Sequence, residues 1–125
     1  MGTNGYEKKI GDLGEEAACK YLLAKDYVIA GRNYFTRRGE IDIIAYFKKE
    51  LVFVEVKSRK SYSFGPIESQ VSPKKINRIL QAAEEYIIEH NISDTDCRVD
   101  LISVFMDGSA YDNFYIEHFE NISFH

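Results

Sequence analysis

Residues 39–59 read GEIDIIAYFKKELVFVEVKSR, and the alternation within this stretch decides the fold. Side chains along a strand point alternately to opposite faces, so Val52, Val54 and Val56 share one face and Leu51, Phe53, Glu55 and Lys57 the other. In the preceding run Glu40, Asp42, Ile44 and Tyr46 share a face, opposite Ile41, Ile43 and Ala45. The runs 40–47 and 51–57 therefore predict two strands joined around Lys48 and Lys49. A loop of two residues, or of four, gives pairs whose residue numbers sum to 97, with Asp42 across from Glu55 and Glu40 across from Lys57. A loop of three or five would set Asp42 against a valine and mix charged with apolar positions on both faces, which a buried pattern opposes.

Directly opposed residues have Cβ atoms about 4.5–5.5 Å apart, and like charges there are destabilising. Two carboxylates at the end of an apolar strand pair need a reason, and three compete. Lys57 and nearby arginines could neutralise them as a structural cluster. The pair could share a proton, with one pKa raised. Or Asp42 and Glu55 could bind a hard divalent cation such as Mg²⁺, which takes one or two protein carboxylates and completes its shell with water and phosphate oxygens. Lys57, two residues on and on the same face, would then orient or deprotonate a nucleophile, or offset charge in the transition state.

The neighbourhood favours the third reason. Residues 32–78 hold 11 Lys and Arg against 5 Asp and Glu, a charge of +6, whereas 1–31 carry −1 and 79–125 carry −9. A basic block inside an acidic chain is either a solvated face or the footprint of a polyanion.

Outward from the hairpin, Tyr6 to about Lys25 predicts a helix, because Ile10, Leu13, Ala17, Ala18, Tyr21 and Leu22 recur at three- and four-residue steps. Tyr27–Thr36 predicts a strand bent near Gly31. The polar stretch from Ser58 to Ser72, with Gly65 and Pro66, reads as a long loop, a feature usually kept for functional segments. Ser72-Pro73 opens a second helix with Ser at the N-cap and Pro at the first helical position. Its apolar stripe is Ile76, Ile79, Leu80, Ala83, Tyr86 and Ile87, and it fades by His90-Asn91. Arg98–Met106 and Tyr111–Phe119 are the last strands, around Asp107-Gly108. The order α-β-β-β-α-β-β makes residues 1–125 one mixed-sheet α/β domain with helices covering the sheet and residues 1–5 as a flexible start.

The 125 residues, 14.4 kDa and 45% hydrophobic, suffice for one domain with a real core. No apolar run approaches the roughly 18 residues a membrane span needs, and the N-terminus has no apolar stretch fit for a signal peptide. Tyr6 stands where a myristoylation signal has Ser or Thr. Cys19 and Cys97 form no CxxC pair and are expected to be reduced thiols in a cytoplasm. A net charge of −4 and a pI near 5.4 argue against coating nucleic acid by bulk positive charge.

Five segments in order resemble one family: GDLGEEAACKYL (11–22), GRNYFTRRGEIDIIA (31–45), LVFVEVKSR (51–59), FGPIESQVSPKK (64–75) and RVDLISV (98–104). They are similar to the PD-(D/E)xK nuclease superfamily and, within it, to the YraN family of bacterial proteins. The resemblance implies a restriction-endonuclease-like fold, similar to that of archaeal Holliday-junction resolvases, with Mg²⁺-dependent phosphodiester hydrolysis, Mn²⁺ serving as a substitute. It implies Asp42 as the motif aspartate, Glu55 as the second acidic ligand, Lys57 as the motif lysine and Glu15 as an auxiliary acid at the metal. Ile41 replaces the superfamily's nominal proline, whose ring is not a ligand. Without the resemblance, Glu15 and Glu16 compete equally.

The leading expectation is a cytoplasmic, Mg²⁺-dependent nuclease or nuclease-like protein acting on nucleic acid, DNA ahead of RNA, with a homodimer open because resolvase-like relatives often act as dimers. Arg37, Arg38, Arg59, Lys60, Lys74, Lys75 and Arg78 are candidate phosphate contacts. The loop 58–72, with Tyr62 and Phe64, could order on a substrate. Ser58 either bonds a phosphate or ends the strand. His90, His118 and His125 lack metal-ligand spacing and read as structural or exposed, and Asp100 as a strand-start acid paired with a basic neighbour. A binding module without turnover, and an interaction domain using the acidic residues 79–125, are the rivals.

Overall fold

The hairpin adopts the register its faces demand. The computed structural model describes residues 2–59, 70–106 and 114–122, and over 2–7 the backbone alone. Strands β2 (Glu40–Phe47) and β3 (Glu50–Arg59) pair antiparallel from Ile43–Val54 to Phe47–Glu50, every pair summing to 97. Strand β1 (Val28–Phe35) runs antiparallel to β2, with a bulge between Ile29 and Gly31 that supplies the expected bend. Strand β3 runs past Lys57 through Ser58 and Arg59, which the sequence assigns to a loop. A parallel neighbour supplies the ladder there, with Ser58 beside Val104 and Arg59 beside Phe105.

That neighbour is β4 (Cys97–Met106), reached through helix α2 (Pro73–Glu89), and β5 (Phe114–Phe119) closes the sheet antiparallel to β4. The five strands lie in the order β1-β2-β3-β4-β5, so the sheet is mixed. Helix α2 starts as its sequence predicts: Ser72 is the N-cap, and its hydroxyl accepts from the Lys75 amide at 3.1 Å. The residues it buries are Ile79, Ala82, Ala83 and Tyr86, whereas Leu80, part of the predicted stripe, stays exposed. Helix α1 spans Gly2–Ala24 and begins before Tyr6, because Gly2, Thr3, Asn4 and Gly5 are weak helix formers that hide its start. The predicted loop 60–69 and the first part of the last predicted strand, 111–113, lie outside the described residues.

Each face of the sheet carries one core. Ala17, Ala18 and Leu22 of α1 pack on Ile43, Ala45, Val52, Val54, Ile102 and Val104. On the other side Ile79, Ala82, Ala83 and Tyr86 of α2 cover Ile44, Leu51, Phe53 and Val99. Helix α1 approaches β3 closely enough that a Cβ on Gly14 would fall on the Ser58 side chain. Gly14→Ala is therefore expected to lower stability by about 1–3 kcal/mol despite alanine's better helix propensity. Urea unfolding of the two proteins side by side measures it.

A buried polar network ties the last strand to this frame. Asp100 is fully buried on the α1 face of β4, where Arg98 Nε donates to it at 3.0 Å and the Asn121 amide at 2.9 Å. His118 Nε2 lies 2.8 Å from Asp100, and its Nδ1 lies 3.0 Å from the Tyr21 hydroxyl of α1. A carboxylate only accepts, so Nε2 carries the proton. Arg98 also donates to Glu50 at 2.7 Å and to the Tyr27 hydroxyl at 2.8 Å. Burial alone would raise the Asp100 carboxyl, but the His118 and Arg98 hydrogen bonds hold it below the usual carboxylate range. Asp100 thus has its basic neighbour, and it serves the frame on the face opposite Glu55. No helix among the described residues is long and apolar enough to cross a membrane.

Candidate functional site

The β2–β3 ladder stops at Ile43–Val54, one pair short of Asp42 and Glu55. Asp42 instead uses its own carboxylate as the next acceptor, and the Val56 amide donates to Oδ2 at 2.8 Å. The backbone pairings expected of Asp42 with Glu55 and of Glu40 with Lys57 are replaced, but the Asp42 and Glu55 side chains still meet in a hydrogen bond through one shared proton. Glu40 pairs with Phe35 on β1, and its Oε1 lies 4.0 Å from Lys75 rather than against Lys57. Holding two carboxylates at ladder distance is costly. Here β3 is held instead by β4, with Glu55 beside Leu101 and Lys57 beside Ser103.

A cleft of about 500 Å³ opens there, and Glu15, Glu40, Asp42, Glu55, Lys57 and Lys75 all line it. Helix α1 settles which of its two acids faces the cleft. Glu15 lines it, and burial together with the Asp42 charge raises its carboxyl, while Glu16 turns to Arg32 at 3.2 Å. Burial and then the neighbouring Asp42 charge push Glu55 up to about 8, and burial raises Asp42 as well. Glu55 is 6% exposed and shares a side-chain hydrogen bond with Asp42, which requires one proton on the pair, while among the described residues its Oε1 has no donor. A buried carboxylate oxygen without a donor is expensive, and hard oxygen ligands suit Mg²⁺. The orphaned oxygen beside Asp42 fits a divalent cation held by two carboxylates. Among the described residues no three His, Cys, Asp or Glu side chains form a ready ligand set, so water or substrate oxygens would complete the shell.

The basic candidates divide. Arg59 lines the cleft, and Arg37, Lys74 and Arg78 are exposed. Arg38 is bound to α2, 3.7 Å from Glu84 and 3.4 Å from Glu85. Lys75 turns inward, 3.7 Å from Glu55 Oε2. Lys60, Tyr62, Phe64 and His125 lie outside the described residues. Ser58 packs under Gly14 as part of β3. His118 belongs to the Asp100 network, and His90 stacks on Tyr86 at the end of α2. Two features differ from the sequence expectations: the inward turn of Lys75, there a candidate phosphate contact, and the place of Gln70. Lys75 precedes Ile79 by four residues, so helical periodicity alone would have pointed it inward. Gln70, buried, accepts from the Ser103 hydroxyl beside Lys57, and no pattern announces it.

The acid pair sets a pH dependence. In the unfolded chain Glu55 titrates near its ordinary value of 4.5, against about 8 in the fold. Between these values the folded state holds a proton that the unfolded state has lost. Its stabilising contribution is full below about 4.5 and is lost as pH rises through about 8. Metal-free Glu55→Gln should therefore gain melting temperature over wild type at pH 9 and show no such gain at pH 4.5. Thermal unfolding in a chelator measures the difference.

A mixed α/β sheet with a buried acid pair at the mouth of a cleft on its central strands, inside a basic segment, defines the class of protein. The chain belongs to the UPF0102 (YraN) family, for the model described as "Uncharacterised protein family UPF0102" matches residues 14–104. It is similar to a UPF0102 protein of Clostridioides difficile, 48% identical over 100 residues that cover 79% of this chain and 87% of the relative. A UPF0102 protein of Chlorobium limicola is 44% identical over 88% of each chain. One of Flavobacterium psychrophilum is 38% identical over 93% of this chain and 94% of its own.

Proposed function

We propose that this protein is a divalent-metal-dependent nuclease or nuclease-like DNA-processing protein of the cytoplasm, hydrolysing phosphodiester bonds at Asp42, Glu55 and Lys57 with Glu15 as auxiliary acid. The observation that carries the reading is the buried Asp42–Glu55 carboxyl pair lining the cleft, with Glu55 Oε1 lacking a donor among the described residues. Asp42 and Glu55 would hold the cation, and Glu15 would hold a water of its shell. A bound Mg²⁺ or Mn²⁺ supplies Lewis acidity toward a phosphoryl oxygen and a nucleophilic water at neutral pH. The chain's own part is positional. Val56 fixes Asp42, β4 fixes the strand carrying Glu55 and Lys57, and Lys57 would offset negative charge on the phosphoryl oxygens. Arg59, Lys74 and Arg78 would hold flanking phosphates, whose contacts position the strand without reading its sequence.

Incubation of the purified protein with branched, single-stranded and duplex DNA and RNA in Mg²⁺ or Mn²⁺ tests this. The reading expects cleavage that is lost in Asp42→Ala and Lys57→Ala, and cleavage surviving both would sink it. A second reading, a nucleic-acid-binding module without turnover, is favoured by the position of Lys75, whose ammonium already faces Glu55. It expects salt-dependent binding that Asp42→Ala leaves unchanged or strengthens, since the substitution removes repulsion of phosphate.

A further inference from the structure

Among the described residues, Lys75 is the cation nearest the acid pair. Its Nζ lies 3.7 Å from Glu55 Oε2 and 4.0 Å from Glu40 Oε1, whereas the motif lysine, Lys57, makes no ion pair among the described residues. Both distances exceed the reach of a hydrogen bond, so charge alone holds the ammonium there and no directional bond must break to move it. The side chain is 32% exposed, which leaves a path to solvent. Its backbone is fixed, because the Lys75 amide caps onto Ser72. Only the flexible stem can swing. Lys74 and Arg78 stand exposed on the same end of α2, so a polyanion bound there would also meet a freed Lys75.

We propose that Lys75 is the resident counter-cation of the acid pair, displaced from Glu55 by an incoming divalent cation and thereby freed to take a phosphate of a polyanionic substrate. Cation binding and polyanion binding are then coupled through one side chain. Without a metal, Lys75 offsets the charge of Glu55 and Glu40. With a metal bound, an ammonium left in place would repel it, and the stem carries that charge outward to the basic end of α2. This inference rests on Asp42 and Glu55 being the cation's ligands.

The test is calorimetric titration with Mg²⁺ alone, at low ionic strength and pH 8.5, where proton competition at Glu55 is small. Wild type, Lys75→Met, Lys75→Arg, Lys49→Met and Asp42→Asn are compared. Giving up a unit-charge attraction at 3.7 Å in a water-like dielectric is worth up to about tenfold in affinity, a loss that only a protein with the ammonium suffers when the metal binds. Lys75→Met should therefore bind Mg²⁺ about tenfold more tightly. Lys75→Arg, which keeps the charge, and Lys49→Met, which removes one at the far hairpin loop, should stay within about twofold of wild type. In a second arm, fluorescence anisotropy with a DNA duplex in Ca²⁺ or chelator should show a metal-dependent gain in wild type and in Lys49→Met that Lys75→Met loses. Asp42-dependent Mg²⁺ binding that Lys75→Met leaves unchanged or weakens overturns the proposal while sparing the metal site. No Mg²⁺ binding in wild type or Lys75→Met removes the metal site itself, and the proposal with it.

Discussion

Asp42→Asn is expected to abolish divalent-cation binding and to lower metal-dependent phosphodiester cleavage by about a thousandfold, the scale on which removal of one charge-stabilising group acts. Asparagine is the informative substitution because Asp42 has two tasks. Its Oδ2 accepts the Val56 amide where the β2–β3 ladder ends, and its negative charge faces Glu55. The amide oxygen of asparagine keeps the first task and loses the second. Asp42→Ala loses both, and the orphaned Val56 amide adds a stability cost of about 1–3 kcal/mol. In the absence of metal, Asp42→Asn should be at least as stable as wild type at pH 8–9, because the repulsion that helps lift Glu55 to about 8 is gone. Single-turnover cleavage combined with chemical denaturation separates the two effects. A variant stable yet inactive supports the site, and one stable and fully active removes it.

The largest effect on stability is expected at Asp100. It is fully buried and neutralises Arg98, bonds His118 and caps the Asn121 amide. Asp100→Ala leaves the Arg98 guanidinium with one buried partner fewer and His118 with no acceptor at Nε2. Breaking such a buried pair from one side costs about 3–5 kcal/mol, a large share of the 5–15 kcal/mol typical of a domain. The melting temperature should fall by about 10–20 °C, which differential scanning calorimetry reads directly. Because the network also ties Tyr21 of α1 to His118 of β5, amide exchange along β5 should rise in the same variant. His118→Gln, which can still donate to Asp100, should lose less than half as much.

The hairpin was legible because two faces with opposite character leave one register that keeps valines with valines. The start of α2 was legible for a similar reason, since Ser-Pro is a helix opening with a mechanism. The parting of the strands at Asp42 was not, because alternation continues through residues that no longer share a ladder. The extension of β3 through Ser58 and Arg59 depends on β4, about forty residues downstream, a partner that local propensity cannot report. Within the site, the acid pair and Lys57 stand out by spacing, while the orientation of Glu15 over Glu16 needed the packing of α1. Charge alone makes Lys75 a candidate phosphate contact, whereas its helical phase beside Ile79 is the signal that turns it inward.

The charge pattern sharpens in the same way. Residues 32–78 carry +6, but Arg38 is spent on Glu84 and Glu85 and Lys75 on Glu55 and Glu40. Among the described residues, the cations left near the cleft for a polyanion include Arg59 and Lys57 on its wall and Lys74 and Arg78 at the start of α2. Such a surface suits a substrate that enters the cleft over the N-terminus of α2, where a helix end also favours anions.

Both the nuclease reading and the role of Lys75 require that Asp42 and Glu55 hold a divalent cation. Crystals soaked in Mn²⁺ and measured for anomalous scattering test it without any choice of substrate. One strong peak is expected, bonded to Asp42 and to Glu55 Oε1, with the Lys75 ammonium moved away. A cleft with no anomalous peak at saturating Mn²⁺, and Lys75 still against Glu55, would contradict it.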